Sequence, residues 1–393
     1  MTSLLDPSPL DADLRATAAE FTRREVVPHL DDWEAAGLVP RGLHVAAARQ
    51  GLLGISFPEA VGGQGGDLAD VVAVTEGMLA EGASSGLLAA LFTGGIALPH
   101  LAAHGSADLV DRFVRPTLAG EAIGSLAITE PDGGSDVAHL RTRARRVPGP
   151  GGDEYVVDGA KTYITSAVRA DFLTVAVRTG GPGAGGVSLL VVETDRPGVT
   201  VTGPLPKMGW HCSDTGEVAL DGVRVPVGHL IGEEGGGFAQ IGEQFVTERI
   251  VLAVHGYGIA ARALALAAAW CRDRETFGRP LTGRQVVRHR LVEMHRRVEV
   301  ARTYVHHVVA EHRAAGPADQ PRVVADACLA KQTAVECAAY VTDAAVQLHG
   351  GAGYVRGEVE RHYRDARLLG IGGGSTEVLA DLAAGLLGYG GAR

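Results

Sequence analysis

Glu248 is the residue of this 393-residue sequence whose chemistry is most out of place. Ile241, Phe245, Leu252 and Ile259 recur at multiples of about 3.6, so they share one helical face, and Glu248 sits on that face. The run Ile250–Val254 that follows is apolar on all sides, as in a helix at the centre of a bundle. A carboxylate there is costly unless it is paired or used. Arg249 is not its partner by default, because adjacent helical residues do not face one another. Burial raises a carboxyl pKa and makes a stronger base toward a bound substrate. The competing reading is a structural glutamate, ion-paired across the bundle.

Two glycine-bearing segments could hold a ligand, and a third has an ordinary structural reading. Ile128-Thr129-Glu130-Pro131-Asp132-Gly133-Gly134-Ser135-Asp136 offers backbone N–H groups and hydroxyls to the polar edge of a flavin or to a phosphate, or is a plain turn. Arg274-Glu275-Thr276-Phe277-Gly278 follows a helix, and its arginine could hold a phosphate or simply be solvated. Gln347-Leu348-His349-Gly350-Gly351 reads as a glycine-capped helix end. His306 and His307 are adjacent and His289 and His295 six apart, and no Cys pair is spaced for a metal, so no metal is expected. No G-x-S-x-G or H-E-x-x-H occurs, and no G-x-G-x-x-G follows a strand, which leaves serine hydrolase, zinc protease and nicotinamide readings without support.

These residues need a scaffold, and its gross character is legible. A net charge of −10 argues against general nucleic-acid binding, which requires excess cations. Lys161, Lys207 and Lys331 are the three lysines; the arginine excess reads as base composition without functional weight. Four scattered cysteines fit a reducing compartment. Met1–Leu14 carries three aspartates and no apolar core of a signal peptide, and Ile259–Trp270 is too short to cross a bilayer. The expectation is a cytoplasmic protein with no membrane partner.

The periodicity changes twice. Residues 1–120 read as helical, with Leu68–Leu79 and Ser85–Ala103 spaced by threes and fours around the loop Phe57–Gly66. Residues 121–235 read as strands, including Tyr155–Val157, Leu173–Val177 and Ser188–Val192, with Gly159, Gly180–Gly186 and Gly198 at turns. Residues 236–393 return to long helices over Ile241–Asp273, Gln285–Ala315 and Arg322–Leu348. The fold class is therefore α+β, mainly α, with a helical N-terminal domain, a small β domain and a C-terminal bundle.

Taken together, the loops resemble those of the acyl-CoA dehydrogenase family over nearly the whole chain. Phe57–Gly66 resembles its P-E-x-x-G-G-x-G segment, Ile128–Asp136 its T-E-P-x-x-G-S-D loop and Tyr163-Ile164-Thr165 its W/Y-I-T contact. Met208–Thr215 resembles M-G-x-x-x-S-D-T, Arg274–Gly278 R-x-x-F-G and Gln347–Gly353 Q-x-x-G-G-x-G, with Arg364-Asp365-Ala366 before the final loop. The resemblance implies a middle β-barrel, a four-helix bundle, bound FAD and a homo-oligomer, usually a tetramer. It implies that Leu126, Ile128, Thr129, Ser135, Tyr163 and Thr165 hold the flavin of their own subunit, with Ser375 and Glu377 also at the cofactor. Arg274, Phe277, Gln285, Gln347 and Gly351 would reach the FAD of a neighbouring subunit. It further implies that Ser135, Arg249 and Gly374 contact substrate. Most members carry the catalytic base in the last loop, where this chain has Gly373; isovaleryl-type and long-chain-type members place it on a helix, in a pattern that Glu248-Arg249-Ile250-Val251-Leu252-Ala253 resembles. The backbone N–H of Gly373 would then meet the thioester oxygen.

The implied reaction is α,β-dehydrogenation of an acyl-CoA, with electrons passed to an electron-transfer flavoprotein. Two departures widen the substrate class: Glu377–Gly385 lacks the basic residues common in the family, and Val246 replaces a frequent polar residue two before the base. An acyl carrier protein thioester is therefore a second candidate substrate. An acyl-CoA oxidase and an inactive acyl-thioester binding protein are competing functions for the same scaffold.

Overall fold

The computed structural model describes residues 11–390. Met1–Leu10, read above for a leader, and Arg393 lie outside the described residues. The chain folds into a helical N-terminal domain, a curled sheet and a helical C-terminal domain.

In the first of these, α1 (Ala12–Phe21) is capped by the Asp11 carboxylate and packs on α2 (Leu68–Ala80). α2 opens with a capping box between Asp67 and Asp70 and is buried along most of its length. The helix expected over Ser85–Ala103 is broken into α3 (Ser85–Leu91) and two shorter pieces, Gly94–Ala97 and Pro99–His104. Gly94 and Gly95 weaken the helix, and Pro99 cannot continue the hydrogen-bond ladder.

Seven strands follow: β1 (Gly124–Ala127), β2 (Arg143–Gly149), β3 (Gly152–Thr165), β4 (Phe172–Arg178), β5 (Val187–Glu193), β6 (Val199–Thr202) and β7 (Thr215–Pro226). β1 runs parallel to β4, while β2–β3, β3–β7, β6–β7 and β4–β5 are antiparallel. β1, β5 and β6 each pair with a single neighbour, so the sheet is curled rather than closed by hydrogen bonds. β4 reads as an apolar run interrupted by Thr174 alone, because both its faces are covered. Phe172 and Ala176 pack toward the N-terminal helices, and Leu173, Val175 and Val177 into the sheet's own core. Gly159 is not at a turn as expected. It lies inside β3 at a shift of register, with φ +155°, and a Cβ there would stand 2.5 Å from the Thr142 hydroxyl.

The main helices of the C-terminal domain are α4 (Gly237–Asp273), α5 (Gln285–Ala314), α6 (Gln320–His349), α7 (Glu358–Leu369) and α8 (Thr376–Leu386). α4, α5 and α6 close on a core of small residues, among them Ala260, Ala263, Ala301, Ala330 and Ala334. α4 and α6 cross closely at Gly256, where a Cβ would meet the Ala334 carbonyl at 2.9 Å. α4 is much longer than the apolar segment picked out above, and by length and composition it could cross a membrane. Here its apolar side lies in the bundle, where Ile250, Ala253, Val254 and Ala260 are all buried. α7 and α8 pack against α6, and the loop between them, residues 370–375, runs back toward α4.

Candidate active site

Glu248 lies on α4, one turn from Leu252, facing the α7–α8 loop. A Cβ built on Gly373 would stand 3.4 Å from Glu248 Oε1, so the helix position and the loop position singled out in the sequence are neighbours in space. That same Cβ would overlap Leu252 Cδ1 at 2.3 Å, and Gly373 has φ +64°, so the loop passes here only as glycine. Glu248 keeps some accessible surface yet is densely surrounded by protein. Burial raises its pKa; Lys331 and then Arg249 pull it partly back. Among the described residues it has no hydrogen bond and no ion pair, so the structural-pairing reading finds no partner.

Lys331 on α6 is fully buried. Its ammonium donates to the carbonyls of Gly372 at 2.5 Å and Gly374 at 2.7 Å. Burial brings its pKa down to about 8, with Glu248 opposing. Ser375 caps α8, its hydroxyl accepting from Val378 N–H, and Glu377 in the first turn is exposed. Arg249 is buried, its guanidinium lies 5.6 Å from the Phe245 ring centre, and its Nε has no partner. Val246 packs in the core beside it.

Leu126 on β1, Ile128 and Thr129 just after it, and Tyr163 and Thr165 at the end of β3 come together, with Thr162 N–H donating to the Thr129 carbonyl at 2.9 Å. Tyr163 has φ 58° and is 70% exposed, which turns a large aromatic ring outward from the end of β3. The N–H groups of Gly134 and Ser135 have no partner among the described residues, and Ser135 is exposed. The loop is held from beneath by Glu130, which is buried. Its carboxylate accepts from Arg141 N–H at 2.5 Å, Thr142 N–H at 2.8 Å and Lys161 Nζ at 2.8 Å, while Lys161 also donates to the Ile128 carbonyl. Outward aromatic, hydroxyls and free N–H groups fit the polar edge and the face of a flavin ring.

Arg274, Phe277, Gln285, Gln347 and Gly351 are elsewhere, at one end of the bundle, and all are exposed. Arg274 lies over Trp270, which stacks on His349, so the ends of α4 and α6 adjoin. Phe277 is 97% exposed with φ 50°. No hydrogen bond links this group to the first among the described residues. Leu91, Phe92 and Thr93 line a crevice of only about 10 Å³, too small for an acyl chain. A cleft of about 660 Å³ lies instead on the middle domain, beside the Ile128–Asp136 loop, lined by Arg141, Arg143, Arg145, Arg178 and His139.

Comparison with known proteins decides the family. The descriptions "Acyl-CoA dehydrogenase" N-terminal, middle and C-terminal domain match residues 8–121, 125–223 and 235–387. The chain belongs to the acyl-CoA dehydrogenase family. A probable acyl-CoA dehydrogenase of Bacillus subtilis, YngJ, is 35% identical over 93% of this chain and 94% of its own. The crystal structure of a probable acyl-CoA dehydrogenase from Mycobacterium abscessus superposes with a TM-score of 0.92 at 56% identity, covering 95% of this chain and 98% of its own. The prolyl acyl carrier protein oxidase AnaB shares the architecture with a TM-score of 0.88 at 26% identity, covering 96% and 98%. Members of the family are FAD-dependent oxidoreductases that dehydrogenate acyl thioesters.

The family motif Met208–Thr215 is a junction of all three domains. Trp210 N–H donates to Asp365 on α7 at 2.6 Å, and Asp214 accepts from Arg169 at 2.6 Å. Burial and Glu34 push the Asp365 carboxyl up to about 7. Lys207 donates to the Ser213 carbonyl and the Thr215 hydroxyl. Each of Lys161, Lys207 and Lys331 binds a backbone carbonyl in a family loop, a role not assigned to them from the sequence. A compact ammonium with three donors fits converging carbonyls where a planar guanidinium does not. Three lysines in an arginine-rich chain were the available signal.

Proposed function

We propose that this protein oxidises an acyl-CoA to the trans-2-enoyl thioester, with Glu248 as the base that takes the α proton. FAD, when bound, supplies the acceptor for the β hydrogen and its electron pair. The remaining work falls to the chain. Glu248, held above the ordinary carboxylate range in a poorly hydrated space, accepts a proton from a weakly acidic C–H. The Gly373 N–H meets the thioester oxygen as enolate charge develops there. Ser135 and Gly374 border the thioester arm, and Arg249 orients it by charge. The observation that carries this reading is the approach of the unpaired Glu248 carboxylate to Gly373.

The arginine-lined cleft supports CoA as the carrier of the acyl group, since its phosphates suit unpaired guanidinium groups. Arg143 and Arg145 have no acidic partner among the described residues. A carrier-protein thioester, as in the name of AnaB, is the second reading. The exposed Phe277 and its neighbours support a homo-oligomer, a tetramer by the family resemblance, in which they reach a partner's FAD; an electron-transfer flavoprotein as acceptor and a cytoplasmic location complete the proposal.

The test is anaerobic mixing of the FAD-loaded protein with octanoyl-CoA, isovaleryl-CoA, 3-phenylpropionyl-CoA and the corresponding pantetheine thioesters. Loss of the oxidised-flavin absorbance with a CoA thioester is expected. Loss with pantetheine thioesters alone supports the carrier-protein reading, and no loss with any of them removes dehydrogenation.

A further inference from the structure

We infer that Lys331 is a positioning residue for this reaction: by clamping the carbonyls on either side of Gly373 it aims the Gly373 N–H and holds a cation beside Glu248. The inference rests on the proposed dehydrogenation and adds to it a residue that touches neither substrate nor flavin.

The geometry is specific. Lys331 Nζ binds the carbonyls of Gly372 and Gly374 but not that of Gly373. The Gly372 carbonyl and the Gly373 N–H belong to one planar trans peptide and point in opposite directions. Fixing the carbonyl on Lys331 therefore fixes the N–H away from it. That N–H has no hydrogen-bond partner among the described residues, so it is a directed and unused donor. Gly373 and Gly374 both have positive φ, +64° and +93°, which lets the flanking carbonyls converge on one point. Two buried carbonyls so arranged repel one another without a cation between them. The ammonium also lies 3.6 Å from the Gly373 Cβ position, and Glu248 Oε1 lies 3.4 Å from the same point.

The charges around this point come from two helices. α4 supplies Glu248 and Arg249, and α6 supplies Lys331 and Cys328. Lys331 is the first-named group favouring ionised Glu248, and Arg249 the second. Removing the ammonium leaves the carboxylate harder to ionise, so the acid limb of the rate moves to higher pH.

The experiment uses FAD-loaded wild type, Lys331→Met and Lys331→Gln with whichever CoA thioester bleaches wild type fastest. Lys331→Met is expected to bleach about 30-fold more slowly at saturation, with half-saturation within about threefold of wild type. Its acid limb moves up in pH. Lys331→Gln keeps an amide donor for the carbonyls but no charge, so its rate lies between the two and its limb moves like that of the methionine variant. It also decides the matter if Lys331→Met does not fold. A rate near wild type, or a loss confined to FAD retention or half-saturation with an unmoved limb, overturns the assignment. Amide exchange over residues 370–376 reads the clamp without any substrate. Faster exchange in the variants is expected, and unchanged exchange overturns the clamp even if no thioester bleaches wild type.

Discussion

Two glutamates in this molecule, Glu130 buried and Glu248 largely enclosed, each stand near a buried lysine, and their environments differ in one respect. In the middle domain Lys161 donates a hydrogen bond directly to Glu130 at 2.8 Å, and two backbone N–H groups complete the carboxylate's shell. In the bundle Lys331 donates to loop carbonyls and reaches Glu248 through space alone. The lysines are alike, each brought down to about 8 by burial. The glutamates are opposite: burial pushes both upward, but Lys161 and the N–H groups bring Glu130 below the usual range, whereas Glu248 stays above it. A carboxylate whose lone pairs are taken becomes an anchor. One whose neighbouring cation is engaged elsewhere keeps the basicity that proton abstraction needs.

The sharpest way to break this comparison is to remove each charge in turn. Glu248→Gln is expected to slow flavin bleaching by a CoA thioester about 1000-fold while FAD stays bound, the upper-middle range for loss of a general base. Stopped-flow absorbance under anaerobic conditions checks it, and bleaching that survives means the base lies elsewhere. Lys161→Met strands the Glu130 charge in a buried loop. Breaking such a pair from one side costs about 3–5 kcal/mol, so this variant is expected to lose FAD and melt well below wild type, and the flavin it retains should still be bleached. Urea unfolding with flavin release tests it. Smaller effects follow at the edges of the two regions. Arg143→Gln with Arg145→Gln is expected to raise half-saturation for acyl-CoA about tenfold, less at high salt, and to leave pantetheine thioesters unaffected. Equal effects on both would remove the cleft from CoA recognition.

The smallest expected effect concerns stability. Because Glu248 has its pKa raised by folding, its ionised form costs stability above the unfolded value, and that cost grows as pH rises through the raised pKa. Glu248→Gln is therefore expected to melt slightly above wild type at pH 8, by about 1–2 °C, and to lose that advantage near pH 4. A lower melting point at pH 8 would mean that Glu248 is a structural anchor after all, like Glu130.

Much of this was written in the sequence. The order helices, strands, helices follows from periodicity, since a helix buries every third or fourth residue and a strand every second. Glu248 could be found because a carboxylate in an apolar stripe contradicts its surroundings. The loops followed from glycine and hydroxyl residues in family order. Tertiary structure decided the rest. No local pattern says that Gly373, 125 positions further along the chain, would stand against Glu248, because that contact depends on how α7 and α8 return across α6. Nor does the sequence distinguish Lys161 from Lys331. Which of them pairs with a carboxylate and which with carbonyls is set by where three donors on one ammonium find acceptors, and in a buried site only the packed fold supplies those.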